Sequence, residues 1–438
     1  MMSSIPLNPI IWNNYNISEQ KKLLNRPAQK SPKQLQKNVE TILNQVKKHG
    51  DTALRNFNLH LDNFQTNELK IKKSLFKISD DTLSKTFKCA IHTAKKNITR
   101  FHQLQHTQEI NIETSPGVHC RQIIKPLSSV GLYIPSGSAP LPSTVMMLGI
   151  PAKIANCPRI MLCSPPPISY EILYTAKICG IEEIYQIGGA QAIAAMGFGT
   201  ESIIKVNKIF GPGNIWVTEA KRQISYRSAT DIDMLAGPSE ILIIADNTAN
   251  PKFIAADLLS QAEHGSHSHI ILLTPDINII NNVIFEINKQ IIHLSRINII
   301  IQSLKNSRFI LSKNIMECVN ISNDYAPEHL SIQTKNSENL LKFITNAGSI
   351  FLGKWSPEAA GDYASGTNHV LPTYGYTINN SGLSVLDFQK RITVQKLTKN
   401  GLLKLAPTIT TLSEIEKLTA HTKSINIRFT KCKDNNGH

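Results

Sequence analysis

The sequence predicts an α/β protein built from two Rossmann-like parallel-sheet domains, one inserted in the other, with small extensions at both ends. Three observations carry this reading. The chain has 438 residues, more than a single core of average size organises. From Val130 onward, short apolar runs alternate with helical patterns, and after Glu240 a second series of the same kind begins. Alternating elements of that length imply parallel strands with helices on both faces.

Val39, Ile42, Leu43 and Val46, then Ala53, Leu54 and Phe57, recur at helical spacing over residues 33–58, and Gly50 marks a break, which predicts a pair of helices. A further helix is predicted over Asp80–His106, then a turn at Ser115-Pro116-Gly117 and a strand over Val118–Ile124. The inserted domain, 130–240, reads as strand 130–134, helix 143–156, strand Arg159–Ser164, helix Tyr170–Cys179, strand Glu183–Ile187, helix Ala190–Gly197, strand Lys205–Phe210 and helix Ile215–Ser225. No G-x-G-x-x-G follows any of these strands, so dinucleotide binding has no fingerprint here. Strand Ile241–Ala245, helix 252–264, strand His269–Leu273 and helix 277–293 come next. Helix 33–58 and strand 118–124 need sheet partners, so the simplest topology makes 30–129 and 241–384 one discontinuous domain around the insert. Residues 1–29 form an N-terminal extension. Residues 385–438 form a tail, with a helix at Ser413–Thr419 and a strand-like Ser424–Phe429, too small to bury a core alone.

With 41% hydrophobic and 18% charged residues, the composition is that of an ordinary soluble globular protein. Met1–Tyr15 lacks the basic and apolar regions of a signal peptide, and no run of about 18 apolar residues occurs, so no membrane role and a cytoplasmic location are expected. Seven cysteines, at 89, 120, 157, 163, 179, 318 and 432, form no C-x-x-C pair, which suits a reduced compartment. Cys157 and Cys163 read as buried, inert thiols rather than nucleophiles. The net charge of +15 raises the question of nucleic acid. Its Lys and Arg residues are scattered through 1–110 and 380–435 without an aromatic-interleaved basic motif, so no nucleic-acid partner is expected.

Chemistry concentrates in three segments. Gly348–Thr373 packs turn formers, one isolated acid, Asp362, and one His, His369, with no regular apolar period, which suits a loop carrying chemistry. In Ser260-Gln261-Ala262-Glu263-His264 a helical pattern ends, so Gln261 and His264, three residues apart, share a face. In Asp324-Tyr325-Ala326-Pro327-Glu328-His329-Leu330, the proline biases Ala326 toward an extended conformation. Adjacent Glu328 and His329 in an extended segment point to opposite sides and would serve two separate proton transfers. His264, His267 and His269 form H-x-x-H-x-H, a competing metal reading in which the last two share the face of a strand start.

Taken with Leu418-Thr419-Ala420-His421, these segments resemble the histidinol dehydrogenase family. The same order of motifs includes Val-Gly-Leu-Tyr-Ile-Pro at 130–135, Gly-Gly-Ala-Gln-Ala at 188–192, Phe-Gly-Pro-Gly-Asn at 210–214 and Asp-Met-Leu-Ala-Gly-Pro-Ser-Glu at 233–240. The resemblance implies a zinc enzyme that oxidises L-histidinol to L-histidine through histidinaldehyde with two NAD, late in histidine biosynthesis, as a homodimer. Carried over residue by residue, it makes Gln261, His264, Asp362 and His421 the ligands of one Zn2+ per subunit. His329 becomes the base for hydride transfer and Glu328 the group that activates water. Contacts to L-histidinol are implied at Ser239, Gln261, His264, His329, Asp362, Glu416 and His421, and contacts to NAD at Tyr133, Gln191 and Asn214. The last three stand in turns just beyond predicted strands, where ligands bind in open α/β sheets. Both extensions are expected to cross the homodimer, bringing Glu416 and His421 to the neighbouring site. The His264-His267-His269 triad is then a decoy, and Ser136, where family members usually carry Gly, bears on loop geometry rather than chemistry. Two alternatives are a relative of the same fold acting on another amino alcohol, and a zinc hydrolase that uses Glu328 on water without NAD.

Overall fold

The computed structural model describes residues 7–26, 33–105, 108–136, 139–234 and 237–430. Part of the N-terminal extension, His106, Leu235, Ala236 and Cys432 fall outside them. The chain begins with β1 (Pro9–Ile11) and α1 (Ile17–Leu23). A capping box closes the start of α1: Asn16 accepts from the Glu19 N–H at 3.0 Å while the Glu19 carboxylate accepts from the Asn16 N–H at 2.9 Å. Helices α2 (Lys33–Leu61), α3 (Lys73–Thr82) and α4 (Lys85–His102) follow. The break in α2 lies at Gly50, as predicted, with φ 48° and ψ −130°. A side chain there would run into the Glu201 carboxylate, which accepts the Asp51 N–H at 2.7 Å.

Next come β2 (Ile110–Ser115) and β3 (Val118–Pro126), an antiparallel pair. A regular alternation then runs through β4 (Ser129–Tyr133), α5 (Pro142–Ile154), β5 (Arg159–Ser164), α6 (Tyr170–Ile178), β6 (Glu183–Gln186), α7 (Gly189–Phe198), β7 (Lys208–Phe210), α8 (Ile215–Arg227) and β8 (Asp231–Ile232). These strands form a parallel sheet in the order β6-β5-β4-β7-β8. The second series is β9 (Glu240–Ala245), α9 (Pro251–Ala262), β10 (His269–Thr274), α10 (Ile277–Gln290), α11 (Ile297–Lys305), β11 (Arg308–Leu311), α12 (Ile315–Tyr325), β12 (His329–Gln333), β13 (Ser349–Leu352) and α13 (Glu358–Tyr363). With β1 it makes a parallel sheet in the order β1-β11-β10-β9-β12-β13. Strands β9, β10 and β12 are buried along their whole length; β9 and β10 accordingly read as near-continuous apolar runs, whereas β12 buries the polar His329, Ser331 and Gln333 among its apolar residues. The chain closes with β14 (Gln389–Leu397), α14 (Lys399–Ile415) and α15 (Thr419–Asn426).

The two parallel sheets bear out the α/β class, but the predicted domain boundaries need correction. Leu35, Val39, Leu43 and Val46 of α2 share a buried cluster with Met161, Ile193, Ile209 and Val217. Ile91, Ala94 and Ile98 of α4 share another with Val145, Leu148 and Leu173. The apolar stripes of residues 33–105 are therefore covered mainly by the helices and strands of 127–234, with Val370 and Leu383 as the share of 241–384 in the α4 cluster. Strand β3 joins neither parallel sheet. It pairs antiparallel with β14, from Gln389 opposite Pro126 to Leu397 opposite Val118. The chain accordingly divides into one compact unit of residues 1–105 and 127–388, and a smaller one of 106–126 and 389–438. In the smaller unit, the predicted strand at Ser424–Phe429 is helical to Asn426. Its amides are satisfied locally, with Ile427 N–H bonded to the Lys423 carbonyl and Phe429 N–H to that of Asn426. Among the described residues no helix is long and apolar enough to cross a membrane.

Phe388, fully buried, stacks on Phe210 with ring centroids 4.0 Å apart, and Phe210 leads directly into the turn at Gly211. Phe388→Ala is expected to cost about 3–5 kcal/mol of unfolding free energy in urea titrations. A cost below about 1 kcal/mol would mean that the pair is not a core contact.

Candidate active site

A cavity of about 580 Å3 opens within the larger unit, and the two parallel sheets meet it with opposite ends. Pro135 and Gly211–Asn214, just past the carboxyl ends of β4 and β7, line one side. Ser239, His264–Ser268 and Glu328, which lead into β9, β10 and β12, line the other. Ligands of open α/β sheets usually sit at carboxyl ends. The five-stranded sheet conforms, while the six-stranded sheet presents the amino ends of its central strands.

The approach to β12 differs from the expectation for Ala326. This residue is left-handed, φ 53° and ψ 68°, and its N–H closes α12 on the Ser322 carbonyl at 2.8 Å. A left-handed residue ends a helix while still avoiding the right-handed region that a following proline disfavours. Glu328 then lies just outside the strand, so it and His329 converge instead of pointing apart, with Glu328 Oε2 3.6 Å from His329 Nδ1. Both bind the main chain of Glu240. Glu328 Oε2 accepts the Glu240 N–H at 2.8 Å, and His329 Nδ1 lies 3.0 Å from the Glu240 carbonyl oxygen. A carbonyl only accepts, so Nδ1 carries the proton and Nε2 keeps its lone pair. That Nε2 is buried without a hydrogen-bond partner and faces Asp362 Oδ1 at 3.8 Å. Burial takes the His329 imidazolium down to about 3, leaving the ring neutral, and pushes the Glu328 carboxyl well above the usual carboxylate range.

The segment Gly348–Thr373 is not a plain loop, since it contains β13 and α13. Nor is Asp362 isolated. Glu358 stands four residues earlier on the same face of α13, with Oε1 3.6 Å from His329 Nδ1. Sequence reasoning missed Glu358, although the i, i+4 spacing of two acids was its signal. Burial lifts the Asp362 carboxyl to about 6, and burial, followed by neighbouring carboxylates, holds that of Glu358 well above the usual carboxylate range. Gln261, fully buried near the end of α9, meets the Glu358 carboxyl with its carboxamide, and the orientation that satisfies both groups has the amide nitrogen donating to Oε2 at 3.1 Å and also to Oε1. The opposite pole of the carboxamide is its carbonyl oxygen, the atom that can bind a cation. His264, just past the end of α9, lines the cavity, as do Ser239 and Asp362. His369 is held between the Asp362 carbonyl, 2.8 Å from Nδ1, and Thr144 Oγ1, 3.3 Å from Nε2.

These residues fit a divalent cation. One ligand atom each from His329, Glu358 and Asp362 lies within 4.8 Å of the others. Buried carboxyls that close repel one another when ionised, and a cation relieves them. Nitrogen and oxygen donors of this kind suit zinc at an open site. The decoy triad does not converge: His267 lines the cavity with His264, but His269 is buried in the core, with Nδ1 2.7 Å from the Tyr325 hydroxyl. Glu416 and His421 belong to the smaller unit, at the end of α14 and in the first turn of α15, and both are exposed.

The expected NAD residues stand at the carboxyl-end side of the five-stranded sheet, Tyr133 as the last residue of β4, Gln191 in the first turn of α7 and Asn214 just before α8. Asn214 caps α8, accepting from the N–H groups of Trp216 and Val217 at 3.0 and 3.2 Å, and lines the cavity. Tyr133 is buried, with its hydroxyl accepting the Gly189 N–H at 2.9 Å, and Gln191 is buried in the first turn of α7. These two shape the turn between β6 and α7. Gly211, at φ 123°, admits no side chain because a Cβ would meet the Tyr133 carbonyl. Helices α7 and α8 thus begin at the carboxyl ends of β6 and β7, where backbone amides suit phosphate. Ser136 follows β4 and is exposed.

Residues 24–429 match the family model of histidinol dehydrogenase. The chain is 64% identical over 426 residues to the histidinol dehydrogenase of Blochmanniella floridana, covering 97% of this chain and 98% of the other. It is 55% identical over 422 residues to that of Yersinia pestis, covering 96% and 95%. The crystal structure of histidinol dehydrogenase from Elizabethkingia anophelis superposes with a TM-score of 0.94 at 46% identity, covering 98% of this chain and 99% of that one.

Proposed function

Because the chain belongs to the histidinol dehydrogenase family, we propose that it oxidises L-histidinol to L-histidine through histidinaldehyde, as a zinc-dependent enzyme using two NAD. The observation that carries this reading is the shared anchor at Glu240, which holds His329 with a bare Nε2 and sets Glu328 beside it. An alcohol that becomes a carboxylate gives up two hydrides and gains one oxygen from water. The hydroxyl proton passes to His329 Nε2 as the first hydride leaves, and Glu328 takes a proton from the water that adds to the aldehyde. When bound, zinc would supply a Lewis-acidic cation for the substrate and NAD would supply the hydride acceptor. Gln261, His264 and Asp362 would hold the metal, with Glu358 orienting Gln261. Ser239 contributes to the substrate's polar lining, and the turn capped by Asn214 to the cofactor's side.

His421, which would complete the metal's ligands, and Glu416, which would contact substrate, would do so at the site of a second copy of this chain. The smaller unit exposes the apolar side chains of Ile110, Ile112, Leu412, Ile415, Leu418 and Ile427, which a homodimer would cover. A monomer in sedimentation velocity with full activity would refute this arrangement.

The test of the function is NADH stoichiometry with L-histidinol before and after chelation. Two NADH per histidine, lost on chelation and restored by zinc, are expected. Oxidation of another alcohol but not histidinol would overturn the substrate, and turnover without NAD would favour a hydrolase. The metal also predicts a pH dependence. With the Asp362 carboxyl at about 6 in the metal-free protein, protons compete with zinc as pH falls through that value. Competition against a chromogenic chelator should show zinc affinity dropping about tenfold per pH unit for each proton displaced.

A further inference from the structure

We propose that Arg26 is a positioning residue of the reaction, holding Glu240 so that its main chain aims both Glu328 and His329. The proposal rests on the reading of those two side chains as the acid–base pair. Arg26, half-buried, forms a two-point ion pair with the buried Glu240 carboxylate, Nε to Oε1 at 2.5 Å and Nη2 to Oε2 at 2.9 Å. The same Nη2 donates to the carbonyls of Tyr325 and Ala326 at 2.7 and 3.1 Å, and the guanidinium lies 3.9 Å above the Tyr325 ring. Arg26 therefore grips both segments that meet at the acid–base pair. One is the start of β9, whose Glu240 N–H and carbonyl hold Glu328 and His329. The other is the left-handed end of α12, two residues before Glu328. A third segment is tied in where the Tyr374 N–H donates to Glu240 Oε1 at 3.0 Å.

The planar guanidinium matters because one group must serve a carboxylate and two carbonyls in fixed directions. An ammonium would neutralise Glu240 without holding the carbonyls in the same plane. Removing the guanidinium leaves the Glu240 carboxylate buried and unpaired, so the start of β9 shifts, and with it the direction of His329 Nε2 and the Glu328 carboxyl. Misplacing reacting groups by about 1 Å costs about 10²-fold in rate.

The experiment compares wild type, Arg26→Ala and Arg26→Lys as zinc-loaded proteins. For Arg26→Ala, kcat for histidinol oxidation should fall about 10²-fold while KM and zinc content stay close to wild type. Added guanidinium should restore part of the loss, and Arg26→Lys should restore less than guanidinium does. The structural readout is the ring-nitrogen NMR signal of His329 in histidine-labelled protein. Wild type should show the proton fixed on Nδ1, and Arg26→Ala a mixture of tautomers. An unchanged kcat in folded Arg26→Ala would overturn the proposal. So would a loss that merely follows the unfolded fraction while the His329 signal stays fixed. If wild type itself fails to oxidise histidinol, the functional reading falls, and the NMR comparison still decides the role of Arg26.

Discussion

His329→Asn is expected to retain zinc and NAD yet oxidise histidinol about 10²–10⁴-fold more slowly. The asparagine amide can still donate to the Glu240 carbonyl, so the start of β12 keeps its anchor. What disappears is the basic nitrogen at the far side of the ring, which lies buried, unpartnered and 3.8 Å from Asp362. Because burial keeps this ring neutral, the wild-type base is ready to accept a proton without first losing one. Rapid-mixing measurements of the first NADH formed per site report on this step directly. Wild-type turnover in a variant of unchanged metal content would remove His329 as the base.

Glu328→Gln is expected to separate the two oxidations. Glutamine matches glutamate in shape and its carbonyl can still accept the Glu240 N–H, so the local fold should survive, but it cannot take a proton from water. Oxidation of supplied histidinaldehyde should fall about 10²–10⁴-fold, with hydride removal from histidinol reduced far less. Aldehyde would then accumulate and be detectable by trapping with an amine. Equal losses in both steps would mean that Glu328 and His329 do not divide the work as assigned.

The alternation of strands and helices was legible because each period is local, two residues for a strand and 3.6 for a helix. Partner choice was not. The apolar stripe of Leu35, Val39 and Leu43 fits either sheet by composition alone, and only the structure puts it on the five-stranded one. Strand β3 is equally silent about its partner, because the pairing with β14 spans most of the chain. At the site, the segments were found but their geometry was not. Helix α13 has six residues, too few to show a period, so Glu358 went unread beside Asp362. The convergence of Glu328 and His329 depends on a left-handed Ala326, which no propensity would assign to alanine. The contact between Arg26 and Glu240 joins positions 214 residues apart and leaves no local trace. Gln261 was singled out by the family resemblance alone, since a glutamine at a helix end is ordinarily just polar.

On the proposed function, the opposed polarity of the two sheets would give the molecule separate handles for coenzyme and alcohol. Segments that leave β4, β6 and β7 are connectors outside any ladder, constrained mainly at the tight turns of Gly189 and Gly211. Residues that enter β9, β10 and β12 are locked in register, Glu240 opposite His269 and His329 opposite Ile241, and a slip of one position would turn His329 to the other face. On that same proposal, grafting connectors would be the practical route to a different nicotinamide coenzyme, whereas a wider choice of alcohols would have to be sought away from the strand starts.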